Sequence, residues 1–269
     1  MKNAILFLGT GGDSQVVGKQ IRSSGGIILK FNDNQFHLDP GPGAIIKAKD
    51  YGINLRENTA IFVSHNHINH VNDLNAIISA MTYSGMDKHG VLVCDEETLH
   101  GSENDYPGLK KHSKAMLERF IAVKPGMRIG INEVNIMPVF AKHTESSLGF
   151  KFYSENFVVS YTGDTEYCKE LVDGHKDVDV IIINCKHPIG LSQEGHMNSE
   201  DVVKFLNKIN PKLAILTHFG LKMLDADTIY EAREIQKKTK CQVIAAKDGL
   251  IVNPVSYASS LKQKKLNNF

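Results

Sequence analysis

Three histidines stand within six residues, His65-Asn66-His67-Ile68-Asn69-His70, directly after the apolar run Ala60–Val63 and Ser64. Nothing else in the chain narrows its options so far. A short apolar run of this kind reads as a buried strand. Three imidazoles at its end are costly in a core unless the rings have a task there, and neutral imidazole is a common ligand of divalent metals. A strand-to-helix loop can turn His65 and His67 toward one ion while His70, opening the next helix, reaches a second. The alternative is a solvated loop that is histidine-rich by chance.

Other candidates sit in the same kind of place. His143 follows the strand pattern Val134–Phe140, and His218 follows Leu213–Thr217. Asp164 follows Phe157–Tyr161 through Thr162-Gly163, where glycine permits a sharp turn that presents the carboxylate. Each alone reads as a surface or hydrogen-bonded residue. Jointly, polar residues at the ends of apolar strands can converge at one edge of a layered α/β fold. Further strand patterns are Ala4–Leu8, Gly26–Phe31, Gln35–Leu38, Thr59–Val63, Gly149–Tyr153, Val178–Asn184 and Gln242–Ala246, with a hairpin turn at Asn32-Asp33-Asn34. Helical patterns cover Ala44–Tyr51, Asp73–Thr82, Lys110–Phe120, Ser199–Lys208 and Asp227–Lys238. Strand-rich segments with interspersed helices, given twice, predict packed sheets with helices outside.

The 269 residues, 42% hydrophobic, suffice for one large domain, 1–269, in two similar halves of roughly 1–145 and 146–269. A formal net charge of +1 gives no whole-protein field for nucleic acid or membrane. Cys94, Cys168, Cys185 and Cys241 are scattered without a C-x-x-C pair, which favours reduced thiols and a cytoplasmic location. The opening MKNAILFLGTGG is too short for a signal peptide, and no apolar stretch has membrane-spanning length, so no membrane partner is expected. The lysine-bearing tail, residues 261–269, reads as a solvated end. The sequence leaves a homodimer open.

The chain resembles the metallo-β-lactamase superfamily, whose hallmark is H-x-H-x-D-H followed by a later His, an Asp and a final His. The corresponding positions are His65, His67, Asn69, His70, His143, Asp164 and His218. Phe7–Gly12, FLGTGG, is similar to the opening of the ribonuclease Z and cyclic-phosphodiesterase branch. Asp39, in His37-Leu38-Asp39-Pro40-Gly41, is similar to an early Asp that orients metal-site histidines, and Gly195-His196-Met197 to the late His motif of phosphodiester-cleaving members. The resemblance implies a four-layer αβ/βα sandwich with the metal site at one edge of its two sheets. It implies two divalent ions, zinc by expectation with manganese or iron as alternatives: His65, His67 and His143 on the first, His70 and His218 on the second, Asp164 bridging. Such a pair lowers the pKa of a shared water toward about 7 and stabilises charge growing on a phosphoryl or carbonyl oxygen. Asp39 would accept a ring N–H and fix a tautomer. His196 would protonate the leaving oxygen.

One position departs from the pattern. Asn69 stands where the family has Asp, so the site loses a negative charge, and the second ion is expected to bind more weakly. Asp73, one turn on, is a candidate for partial compensation. Ribonuclease Z proteins hold tRNA with a long arm between the third His and the bridging Asp. Only twenty residues separate His143 from Asp164 here, and no arm fits. Lys110, Lys111 and Lys114 offer a modest phosphate patch, while Lys186 and His187 read equally well as surface or substrate-facing residues. The expectation is a phosphodiesterase acting on a small nucleotide or short nucleic acid. The alternatives are a lactam, lactone or thioester hydrolase, and a weakly active single-metal descendant.

Overall fold

The computed structural model describes residues 2–258; the lysine-bearing tail, 261–269, lies outside the described residues. The strands are β1 Asn3–Phe7, β2 Ile27–Phe31, β3 Asn34–Leu38, β4 Asn58–Val63, β5 Val91–Cys94, β6 Arg119–Ala122, β7 Ile129–Ile131, β8 Val134–Phe140, β9 Leu148–Tyr153, β10 Val158–Tyr161, β11 Val180–His187, β12 Met197–Asn198, β13 Leu213–Thr217, β14 Gln242–Ala245 and β15 Ile251–Val252. One sheet runs β15-β1-β2-β3-β4-β5-β6 and the other β14-β13-β11-β10-β9-β8-β7, with β12 beside β11. Both follow one plan. Antiparallel hairpins lie on one side, β1-β2-β3 and β7-β8-β9-β10, and parallel strands continue from them. The chain passes between sheets at Ala122 to Ile129, ahead of the division drawn at 145, and β15 returns to pair with β1.

Period-two alternation explains the layers. Ala60 and Phe62 of β4 face the space between the sheets, while Ile61 and Val63 face the helix Leu74–Met81. On β11, Val180 and Ile182 point inward, and Ile181, Ile183 and Cys185 pack under the helices Ser199–Ile209 and Thr228–Lys237. Strands buried on both faces read as unbroken apolar runs, as these do. Phe31, Phe36, Phe62, Phe150 and Phe152 fill the inter-sheet space with ring centroids 5.0–6.2 Å apart in edge-on and stacked pairs. The result is helix, sheet, sheet, helix, as expected.

The expected helix Lys110–Phe120 is a correction. Only Lys111–Lys114 is helical, and Arg119–Ala122 joins β5 as a parallel edge strand. Met116 and Leu117 are buried under the first sheet, and that tertiary demand overrides local helical periodicity. Lys114 lies over the Phe120 ring, 4.3 Å from its centroid, rather than standing free for phosphate. Strand β5 and the helix Glu96–His100 also lay outside the sequence reading. Among the described residues, no helix is long and apolar enough to cross a membrane.

Candidate metal centre

The residues that follow β4, β8, β10 and β13 meet at one edge of the two sheets. His65 Nε2 lies 2.9 Å from His67 Nδ1, which lies 3.1 Å from His143 Nε2. Beside them, His70 Nε2 and His218 Nε2 are 3.2 Å apart. Asp164 stands between the two groups. Its Oδ1 is 3.2 Å from His218, and its Oδ2 is 3.3 Å from His70, 3.8 Å from His143 and 3.9 Å from His65. His65, His70, Asp164 and His218 are buried, His143 is half-buried and His67 is exposed.

Hydrogen bonds behind the rings decide which nitrogens are bare. Asp39 can only accept, so Ser64 Oγ donates to its Oδ2 at 2.8 Å and takes a hydrogen bond from His65 Nδ1 at 3.0 Å. His143 Nδ1 donates to the Gly195 carbonyl at 2.9 Å, and His70 Nδ1 to Asp39 Oδ2 at 2.9 Å. The Nε2 atoms of His65 and His143 therefore carry lone pairs, and both are aimed at His67 Nδ1. One proton there can satisfy one of them well, leaving lone pair against lone pair, and a cation removes that repulsion. Tetrahedral zinc with bonds of about 2.0–2.1 Å sets ligand nitrogens roughly 3.3 Å apart, close to the spacings seen. The donor sets His65/His67/His143 and His65/His70/Asp164 thus fit divalent metal, as does His143/Asp164/His196 by distance alone.

The supporting polar groups come from strand ends. Asp39 also accepts from Ser64 N at 2.7 Å and Tyr161 Oη at 2.7 Å. Asn184 Nδ2 donates to Asp164 Oδ1 at 2.7 Å. His218 has φ +61°, a costly conformation for a non-glycine residue, and its carbonyl presses on Gly12. A Cβ on Gly12 would sit 2.1 Å from that oxygen, so the FLGTGG turn is glycine for close approach. Burial opposes a charge on His70, but Asp164 and Asp39, one at each ring nitrogen, outweigh it and hold its pKa up at about 10. Burial takes His218 down to about 3 against the pull of Asp164. Asp164 is held well below the usual carboxylate range: burial raises it, and His218 and His70 more than reverse that.

Residues 34–219, from β3 to beyond His218, match the family described as the beta-lactamase superfamily domain. The chain belongs to this superfamily. An uncharacterised protein of Methanocaldococcus jannaschii is 30% identical over 256 residues, covering 94% of this chain and 95% of that one. A ribonuclease Z of Methanopyrus kandleri is 20% identical, covering 91% of this chain and 96% of its own length. The crystal structure of the metallo-beta-lactamase fold protein YhfI from Bacillus subtilis superposes with a TM-score of 0.75 at 17% identity, covering 93% and 98% of the two chains.

Within the superfamily's pattern, Asn69 faces the cluster, its Nδ2 3.2 Å from His218 Nε2. The Asp73 carboxylate accepts from Ile45 N and Asn72 Nδ2. His196 brings Nδ1 to 3.7 Å from Asp164 Oδ2, and its ring lies 4.7 Å from that of His143. Burial drives the His196 pKa to about 3 despite Asp164, so the ring is neutral at neutral pH. Lys186 reaches the site with Nζ 3.1 Å from His196 Nε2, whereas His187 turns to Gln193 at 2.7 Å. Beyond His67 opens a cleft of about 990 Å³ lined by Glu96, Glu97, Glu103, Asp105 and Glu145, with Lys124 among them. Sequence reasoning missed Ser64, Tyr161, Asn184 and this acidic wall.

Proposed function

We propose that the protein is a metal-dependent phosphodiesterase acting on small nucleotide-like phosphodiesters. His65, His67 and His143 would hold one divalent cation and His70 and His218 a second, with Asp164 facing both and Asn69 beside the second. The donor set is rich in imidazole with one carboxylate, which suits zinc and also manganese or iron. When bound, such cations supply an acidified water and offset charge on the phosphoryl oxygens. The protein's own groups do the rest. Asp39, Ser64 and Gly195 hold the rings in their tautomers, Asn184 fixes Asp164, and His196 gives its Nδ1 proton to the departing oxygen.

The observation that carries this reading is His196. Its Nδ1 stands 3.7 Å from Asp164 Oδ2 beside the cluster, where an alkoxide leaving phosphorus would need a proton. The relative named ribonuclease Z belongs to a class that breaks phosphodiesters, which supports the same chemistry. A small substrate is favoured on two grounds. The stretch between His143 and Asp164 is taken up by β9, β10 and their turn. The five carboxylates of the cleft would repel the repeated phosphates of a long strand.

The test is a leaving-group series on metal-replete protein. His196→Ala should keep its metal and lose about 10²–10⁴-fold in kcat on phosphodiesters with alkoxide leaving groups. The loss should shrink for p-nitrophenolate, which departs without a proton. Hydrolysis of a lactam or thioester in place of bis-p-nitrophenyl phosphate would overturn the assignment, and an equal loss across leaving groups would remove His196 as the donor.

A further inference from the structure

Lys186 is brought to the site where β11 slips against β12, which pairs with Cys185 and then with His187. Successive residues of β11 alternate faces as far as Cys185, so Asn184 follows Val180 and Ile182 on the inward side, while Cys185 packs outward beneath the helices. Asn184 reaches Asp164, and Lys186 reaches His196. The lysine is only partly exposed, and its surroundings hold it in place. Its carbonyl accepts from Gly220 N at 3.0 Å, and its Cγ lies 3.2 Å from where a Gly220 Cβ would stand. Burial lowers the pKa of its ammonium, and the Asp164 and Asp13 carboxylates oppose that and favour the charged form.

The contact has only one chemical sense. An ammonium carries three donors and no acceptor, so across 3.1 Å it can only donate to His196 Nε2. A ring that accepts at Nε2 carries its proton at Nδ1 when neutral. His196 Nδ1 is the atom that faces Asp164 and the histidine cluster. We propose that Lys186 is the positioning residue of this site: by occupying Nε2 it holds His196 in the Nδ1–H form and so selects the nitrogen that protonates the leaving oxygen. The inference rests on the phosphodiesterase reading for its consequence, though not for the tautomer itself.

The proton balance closes. The bond from phosphorus to the leaving oxygen breaks, and that oxygen takes the Nδ1 proton to leave as an alcohol. Nε2 takes a proton from the Lys186 ammonium, so the ring stays neutral and lysine becomes an amine. The attacking water forms the new bond to phosphorus and releases one proton to solvent, and solvent returns one to the lysine. No oxidant or further reactant is needed.

The experiment pairs spectroscopy with kinetics on the full-length, metal-replete protein. With ¹⁵N-labelled histidine, long-range ¹H–¹⁵N spectra assigned through His196→Gln should place the His196 proton on Nδ1. Lys186→Met keeps most of the stem and removes the donor, and should move the ring toward the Nε2–H form. Metal content, measured by plasma emission, should stay constant. In kinetics, Lys186→Met should lower kcat roughly 10–100-fold for alkoxide leaving groups and little for p-nitrophenolate, with KM nearly constant. Added to His196→Ala, it should cost almost nothing more, and Lys186→Arg should recover part of the loss. A wild-type ring protonated at Nε2 would overturn the proposal. So would a Lys186→Met loss equal for all leaving groups, or one additive with His196→Ala. If the wild type cleaves no phosphodiester, the functional reading fails while the spectra still decide the role of Lys186.

Discussion

Asn69→Asp tests the metal centre through two opposed effects of one charge. Asn69 Nδ2 lies 3.2 Å from His218 Nε2, and that nitrogen lies 3.2 Å from Asp164 Oδ1. A carboxylate at position 69 therefore comes within about 6 Å of the Asp164 carboxylate, and at an effective dielectric constant near 20 the two repel by roughly 3 kcal/mol. Without metal, the His70 imidazolium, whose Nε2 is also 3.2 Å from His218 Nε2, offsets part of that repulsion, so the variant should melt below the parent at pH 8 by less than the roughly 6–12 °C that 2–4 °C per kcal/mol would give. A divalent cation reverses the sign, because the same carboxylate then faces a doubled opposite charge. After desolvation, about 1.4–2.8 kcal/mol should remain, a 10- to 100-fold gain in affinity at the second position. Melting in chelator and in stoichiometric zinc, with a chelator competition for affinity, reads both effects. Equal melting in chelator together with unchanged affinity would show that side chain 69 takes no part in the centre, and the motif would have to be realigned.

Three further outcomes follow from particular contacts. Asp39→Asn turns one of two accepting oxygens into a donor against Ser64, Tyr161 and His70; metal affinity should fall about 10–100-fold in the same competition assay, and an unchanged affinity would refute the orienting role. His175, fully buried with Nδ1 2.6 Å from Ser160 Oγ, has its pKa lowered by burial from 6.5 to about 3. The unfolded chain then binds the extra proton between those values, so stability is lost as pH falls; metal-free His175→Gln should lose about 2 kcal/mol less than the parent between pH 6.5 and 4.5 in urea titrations, and parallel curves would refute this. Raising salt from 50 to 200 mM should lower KM for an anionic diester by screening the cleft's carboxylates, whereas a rising KM would reveal the attraction typical of nucleic-acid binding.

How much of this was legible depends on how local each signal is. The cluster His65 to His70 was plain because four positions of one loop carry it, and His143, Asp164 and His218 were found because each ends an apolar run that had to be a strand. The edge pair β5 and β6 was not legible. Val91–Cys94 is four residues long, and Arg119–Ala122 is half-exposed, so neither shows a period, and only pairing, of β5 with β4 and of β6 with β5, makes them strands. The acidic cleft was hidden for a related reason: Glu96, Glu103 and Glu145 come from loops and a short helix whose approach depends on the sheets beneath. Asn184 and Lys186 differ from both cases. The run Val178–Asn184 predicts a strand whose period-two rule puts Asn184 on the inward face, and the same strand, slipping against β12 at Lys186, also delivers that lysine to the site. Ending the strand at its last apolar neighbour concealed this, because β11 runs on through Cys185 and Lys186 to His187. A polar residue at the end of a buried strand meets a ligand, a charge or another polar group, since burying it alone is costly. Applied two residues further, that argument takes the strand through Asn184 and Asp164 to Lys186 and the ring of His196.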